Sequence, residues 1–124
     1  MDGISDDSDT NYIKLYLSQY TPLYGHVTKS SAGIDWDKTF VVASVVVSFS
    51  GSDQRFEFVR EFAVSQDGLS KLGKWLELFP QMADVAMEAT ANYWKPVNNA
   101  LAPLGYNIIL LNPMLYYIYW QNRR

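Results

Sequence analysis

Two acidic residues lie at the ends of apolar segments in this sequence. Glu88 ends the run VAME, and Asp35 follows the segment AGI. An ionised carboxylate in an apolar strand must reach solvent at the strand end or find a partner. Carboxylates that meet at one edge of a sheet can hold Mg²⁺, a cation that prefers oxygen ligands and keeps several waters. Two such ions stabilise the attacking and leaving oxygens of phosphoryl transfer, so Asp35 and Glu88 are candidate catalytic residues and metal ligands.

These residues and their polar neighbours also have simpler interpretations. An aspartate in the segment GID is commonly a turn former, and a glutamate at a strand end can face solvent. Asp37 is a competing candidate for the same acidic site, because residues two apart share one face of a regular strand. The sequence KTF that follows favours a turn, so Asp37 is expected to be a turn residue. Lys38 could pair with Asp37 or contact a phosphate, and the ion pair is the simpler interpretation. His26 is the single histidine and is expected to be incidental.

The segments that must position these residues alternate between strand and helix patterns. Valine-rich and alternating sequences predict strands, with turn chemistry at SGSDQ between the second and the third. The predicted strands are AGIDWD, FVVASVVVSF, RFEFVREFAV, DVAMEA and NIILL, the last of which is ended by Asn112-Pro113. Ser65 can cap a helix of regularly spaced leucines, and Asn92 can cap a second helix that Gly105 closes.

The predicted order of elements is β-β-β-α-β-α-β, an α/β fold with a mixed sheet. The first three strands are joined by short connections and are expected to be antiparallel neighbours. Each of the last two strands follows a helix, and such a crossover places a strand parallel to a neighbour. This order is the ribonuclease H-like (RuvC-like) arrangement, in which the first strand lies beside the strand that follows the first helix. Asp35 and Glu88 would then converge at one edge of the sheet.

The first 31 residues differ from the rest in being polar, acidic and rich in tyrosine. The tyrosines from Tyr12 to Tyr24 are four residues apart, a spacing that lines one face of a helix. We interpret this segment as a short docking helix or a partly disordered leader that ends at Thr21-Pro22, in preference to a binding element.

Length and composition restrict the classes of protein that this chain can represent. Its 124 residues, 48% of them hydrophobic, are enough for one core and not for two domains. No membrane span or secretion signal is recognisable and cysteine is absent, so a cytoplasmic protein without disulfides or thiolate metal sites is expected. The net charge is −3, but four of the thirteen acids lie within the first nine residues, which leaves a nearly neutral body without a basic stripe for phosphates.

A second function class uses a similar strand order. Actin-like and sugar-kinase ATPases begin with a strand and hairpin that resemble D-x-G-x-T, in which the glycine admits the nucleotide phosphates. The matching stretch here is Asp35-Trp36-Asp37-Lys38-Thr39. Asp37 replaces the glycine and adds bulk and negative charge where phosphate would lie, so this is a remote alternative.

Three stretches resemble the N-terminal DEDD domain of the insertion sequence 110 transposases, a family related to the pilin-gene invertase and to RuvC-type resolvases. They are GIDWDKTFVVASVV, DGLSKLGKWL and VAMEATANYWKPVNNALAPLGYNIILLNP. The resemblance implies a recombinase that cleaves and exchanges DNA strands with Mg²⁺ held by four acids, with a serine in a second domain and a guide RNA encoded by the element. By position, Asp35 would be the first acid and Glu88 the second.

The segment after Glu88 contributes further residues to this resemblance. Thr90, Tyr93 and Trp94 fall within the same motif, and we assign them to packing and capping rather than to substrate contact. Ala91 stands where the family usually has glycine, which implies a slightly shifted turn between strand and helix.

The sequence departs from this family after the same glutamate. No Asp or Glu follows it, so the second acidic pair is missing from these 124 residues, and residues 114–124 leave the family pattern. We therefore expect a truncated chain with an acidic extension (1–31), a partial DEDD domain (32–113) and a divergent aromatic and basic tail (114–124), with weak or absent Mg²⁺ binding and no activity alone. The alternative is a non-catalytic binding or interference module that associates with an intact transposase through an exposed sheet edge, and aggregation or proteolysis is preferred to such regulation. A homo-oligomer is a further alternative.

Overall fold

Five strands and four helices follow one another along residues 6–37, 39–89 and 94–123, the part of the chain described by this computed structural model. In chain order they are α1 (Asp6–Tyr24), β1 (Val27–Asp37), β2 (Phe40–Phe49), β3 (Arg55–Ala63), α2 (Gln66–Leu76), β4 (Met82–Glu88), α3 (Trp94–Leu101), β5 (Ile108–Leu111) and α4 (Pro113–Arg123), with a 3₁₀ turn at Ala102–Leu104. The predicted order β-β-β-α-β-α-β is confirmed between α1 and α4.

The strands form a mixed sheet in the order β3-β2-β1-β4-β5. β2 is antiparallel to both β1 and β3, whereas β4 is parallel to both β1 and β5. The predicted adjacency of the first strand and the strand after the first crossover helix is therefore confirmed, and the arrangement is that of a ribonuclease H-like fold.

The two faces of the sheet have different coverings. Helices α1, α2 and α3 pack on the first face, which carries alternate buried residues of the central strands: Ala32, Ile34, Val41, Ala43, Val45, Val47, Val85 and Met87. The second face carries the residues between them, among them Gly33 and Asp35. Helix α4 lies against this second face, because a Cβ added at Gly33 would be 2.8 Å from Cζ3 of Trp120.

Strand β1 begins at Val27, five residues before the predicted start at Ala32. The sequence KSS is polar and therefore does not predict this part of the strand, although Ser30 and Ser31 are buried. The Ser30 hydroxyl donates to the carbonyl oxygen of Pro80 at 2.6 Å, and its amide donates to the carbonyl oxygen of Gln81. A buried hydroxyl with such a partner is tolerated in a core strand, which is why hydrophobicity alone places the boundary too late.

The predicted end of the first helix at Thr21-Pro22 is wrong. Helix α1 continues through Pro22 to Tyr24 and stops at Gly25, whose positive φ of 86° suits glycine. Pro22 removes only the one intrahelical bond that its missing N–H would donate, and the Gly25 amide still donates to the carbonyl oxygen of Thr21 at 2.9 Å. The helix is part of the fold, because Ile13 and Leu17 are buried in the core.

Helix α4 occupies the segment expected to be a divergent tail. Asn112-Pro113 ends β5 as predicted and also starts this helix, since the Asn112 side-chain oxygen accepts the Leu115 amide at 2.8 Å. Proline suits the first helical position because no intrahelical acceptor exists there for its missing N–H.

The predicted Ser65 cap of α2 is confirmed, with its hydroxyl oxygen accepting the Gly68 amide at 3.0 Å. None of the described helices has the length and apolar character needed to span a membrane.

Candidate active site

Asp35 and Glu88 lie on neighbouring strands at the same end of the sheet. Strands β1 and β4 are parallel, and Ile34 pairs with Met87, the residues just before the two acids. Their Cα atoms are therefore about 5 Å apart, the spacing between paired strands. Both carboxylates line a cleft of about 400 Å³ on the second face, which we call the acidic cleft. The structure thus brings together the two residues that the sequence singled out.

Trp36 joins the ends of these two strands. Its indole N–H donates to the backbone oxygen of Glu88 at 3.2 Å, and its ring packs on the first-face core. Its backbone amide donates to a carboxylate oxygen of Asp35 at 2.9 Å. One residue therefore orients the Asp35 side chain and holds the β4 terminus against β1.

The rest of the acidic cleft comes from α4. Glu88 pairs with Leu111 at the end of β5, so the helix begins two residues later beside the carboxylates. The remaining lining residues are Pro113, Tyr116, Tyr117 and Trp120. The ring centroids of Tyr116 and Trp120 are 6.1 Å apart. The carboxylate pair consequently faces an aromatic wall.

The sequence pattern places these aromatic residues in the tail and not in the site. Their spacing was the available signal, because residues four apart after an Asn-Pro start share one face of a helix. Gly33 gives the complementary signal on β1. A Cβ there would lie 2.8 Å from Trp120 and 3.1 Å from the Tyr116 hydroxyl, so the absence of a side chain lets α4 approach the sheet.

The other candidates take different positions. Asp37 is exposed and is the last residue of β1, where it pairs with Phe40. It therefore belongs to the strand, and the prediction that it is a turn residue is wrong. It does not line the acidic cleft. Trp94 begins α3 and is partly exposed, and His26 is exposed between α1 and β1. The predictions for Lys38, Thr90, Ala91, Asn92 and Tyr93 concern positions outside the described residues.

The carboxylate oxygens of the acidic cleft are suitable ligands for a hard cation, but they are few. Carboxylate oxygens are the ligands that Mg²⁺ prefers, and Asp35 and Glu88 open onto the same cleft. Within residues 6–37, 39–89 and 94–123, no group of three or more His, Cys, Asp or Glu side chains is placed to hold a metal. Water would have to supply the remaining ligands, so the pair fits a weakly held divalent ion.

Comparison with known proteins gives one family. The model of the DEDD transposase domain of insertion sequence 110, described as a transposase, matches residues 32–120. No curated protein matches the chain. The matched region contains both carboxylates and the three aromatic residues of the acidic cleft.

Proposed function

Because this chain belongs to the insertion sequence 110 family of DEDD transposases, we propose that Asp35 and Glu88 form one acidic pair of the metal site used for DNA transposition. The observation that carries this proposal is that the two acids end adjacent parallel strands and line the same cleft. DEDD transposases generally use a divalent metal. A bound Mg²⁺ supplies charge stabilisation to the attacking and leaving oxygens of strand cleavage and exchange.

The residues of this chain would hold the metal ion and keep the two strand ends aligned rather than transfer protons. The two carboxylates provide oxygen ligands, and the Trp36 indole keeps the strand ends aligned at 3.2 Å from the Glu88 carbonyl oxygen. The aromatic wall offers flat surfaces on which a nucleobase can stack. DNA is thus the proposed substrate and the cytoplasm the proposed compartment, with a guide RNA encoded by the element as a further proposed partner.

We propose that the acidic cleft is only half of the family's four-acid site. No Asp or Glu follows Glu88, and the helix that faces the pair presents Tyr116, Tyr117 and Trp120. Two carboxylates neutralise less metal charge than four, so Mg²⁺ binding should be weak. The 124-residue chain is then inactive until further acids are supplied from outside it.

Calorimetric titration with Mg²⁺ tests this assignment. Glu88→Gln should weaken binding about tenfold or more, because one of two charged ligands is lost. Glu77→Gln is the matched control, since Glu77 is exposed just beyond α2 and away from the cleft. Equal affinity in both variants would remove Glu88 as a ligand. Metal-dependent nicking by the purified chain, abolished by Glu88→Gln, would contradict the half-site.

A binding or interference module is the second candidate function. It is favoured by exposed apolar side chains on α4, with Met114 72%, Tyr117 61% and Ile118 45% accessible. Patches of this kind can mark protein contacts. Ile118→Glu should abolish co-purification with a full-length family transposase, whereas Leu23→Glu on α1 should not. An unmodified chain that fails to co-purify would exclude this function.

A further inference from the structure

A second pocket lies on the second face, beside the C-terminal part of α4. It has a volume of about 210 Å³ and contains no carboxylate among its lining residues, which are Lys29, Ser31, Val46, Ser48, Arg55, Tyr119 and Asn122. We call it the basic pocket. Its hydrogen-bonding groups include an ammonium, a guanidinium, two hydroxyls, a phenol and an amide, which is the donor chemistry that an oxyanion needs.

A β-bulge turns Lys29 toward this pocket. Val27 pairs with Phe49, but Lys29 pairs with Ser48, so β1 contains one extra residue at this point. Without the bulge, Lys29 would lie opposite Val47, whose side chain belongs to the first-face core. A bulge therefore places a lysine on the opposite face, and bulges commonly re-aim a side chain in this way.

The two cations belong to one row across three strands. Lys29 pairs with Ser48, and Ser48 pairs with Arg55. Residues directly opposite one another share a face, and two strand spacings separate Lys29 from Arg55 by about 10 Å between Cα atoms. Side chains of this length can contact one small anion from its two sides.

Arg55 is also anchored to α4. One of its guanidinium nitrogens donates to the backbone oxygen of Asn122 at 3.4 Å, which places the group at the pocket rim. A guanidinium has five N–H donors and can bind two phosphate oxygens beside such a bond. Glu57 is the next residue of β3 on this face, and its carboxylate accepts the Ser44 hydroxyl at 2.6 Å. It lies outside the pocket lining but lowers the local positive potential.

We propose that the basic pocket is a subsite for a phosphate group. Its position suggests a nucleic-acid backbone as the source, and this part rests on the proposed function. Ser31 and Asp35 lie on the same face of β1, about 13 Å apart at four residues. That distance equals the axial rise of about four base pairs of a duplex. A strand held at the basic pocket would thus extend along α4 to the acidic cleft.

Two measurements in EDTA test the subsite without the metal. Inorganic phosphate is titrated into labelled protein and followed by backbone NMR, and a fluorescent single-stranded oligonucleotide is titrated at several salt concentrations by anisotropy. Phosphate should shift the amide signals of Ser31, Ser48 and Arg55. Oligonucleotide affinity should fall about tenfold at low salt in Lys29→Gln and in Arg55→Gln, and the salt slope should fall by about 0.7 in each.

Matched variants distinguish the effect of where a charge lies from the effect of the net charge of the protein. Lys74→Gln removes one exposed positive charge on α2, away from the second face, and should leave both titrations unchanged. Arg55→Lys should keep the salt slope but weaken binding, because the ammonium lacks the paired donors. Glu57→Gln should tighten binding. If phosphate shifts the amide signals of Lys29→Gln and Arg55→Gln as much as those of the unmodified protein, the subsite is overturned.

The two titrations also distinguish the source of the phosphate. Binding of both ligands, weakened by the same substitutions, supports a nucleic-acid backbone. Binding of inorganic phosphate without the oligonucleotide supports the subsite and overturns that source. Because the metal is absent throughout, failure of the carboxylate pair to bind Mg²⁺ leaves these outcomes unaffected.

Discussion

Gly33 controls how closely α4 approaches the carboxylate strands. Its missing side chain leaves room for the Trp120 ring and the Tyr116 hydroxyl, both within about 3 Å of the position that a Cβ would take. The same two side chains line the acidic cleft. The shape of the site therefore depends on a residue that carries no functional group.

Gly33→Ala should destabilise the protein by about 1–3 kcal/mol, because Trp120 must move out of a close contact. Urea unfolding gives the free energy, and near-ultraviolet circular dichroism reports the aromatic environment. In a Trp120→Ala background the same change should cost much less, since the largest clash is gone. An equal cost in both backgrounds would show that Gly33 is needed for another reason.

Two tyrosines make the stability of the folded protein depend on pH in the alkaline range. The hydrogen bond to Tyr16 raises the pKa of Tyr20 to about 12, and burial followed by the charge of Glu77 raises the pKa of Tyr106 to about 12. Because an unfolded tyrosine titrates near pH 10, their contribution is full below about pH 10 and is lost as pH rises toward about 12.

Unfolding measured by urea between about pH 9 and pH 11 should therefore show decreasing stability. Tyr106→Phe should reduce this decrease, because phenylalanine binds no titratable proton. Leu15→Ala is the control, because this side chain is exposed and carries no titratable proton, so the pH slope should stay unchanged. A wild-type slope in Tyr106→Phe would contradict the assignment.

At the scale of elements, the ends of strands and helices required interactions distant in sequence. The extension of β1 to Val27 depends on Ser30, whose hydroxyl donates to an acceptor fifty residues away. By contrast, β2 matches its predicted span because its run of valines is a local feature. Helix α4 is an intermediate case, because Asn112-Pro113 is recognisable in the sequence but predicts the end of β5 as readily as the start of a helix.

Asn112→Ala should destabilise the protein by about 1 kcal/mol through loss of the α4 cap. Hydrogen exchange should show lower protection in the first turn of α4, near Leu115, whose amide loses its side-chain acceptor. Asn99→Ala makes the same replacement at an exposed position within α3 and should not destabilise, because alanine is the better helix former. Unchanged protection in Asn112→Ala would exclude a capping role.

At the scale of the whole molecule, α1 is part of the core and not a detachable leader. Tyr16 meets Phe58 edge-on with ring centroids 5.2 Å apart, and Tyr20 stacks on Phe56 at 4.6 Å. The division at residue 32 stays a prediction about domains, but the packing of this helix spans it. Removing its contacts should affect the entire fold.

Leu17→Ala should lower the free energy of unfolding by about 2–5 kcal/mol, because it leaves a cavity under the helix. Leu15→Ala is the matched control, with a side chain that is 60% accessible compared with 8% for Leu17. Both free energies come from urea unfolding monitored by far-ultraviolet circular dichroism. Similar small effects would indicate that α1 is only loosely attached.

The sequence by itself predicted the order of the elements, the crossovers and, through the ribonuclease H-like arrangement, the adjacency of Asp35 and Glu88. Periodicity and connection length are local properties, and topology rules convert them into neighbours. Only the tertiary structure decided what faces those acids, because the aromatic wall of α4 and the row from Lys29 to Arg55 depend on packing and on strand register. A single bulge moves Lys29 to the other face, a change that local patterns do not reveal.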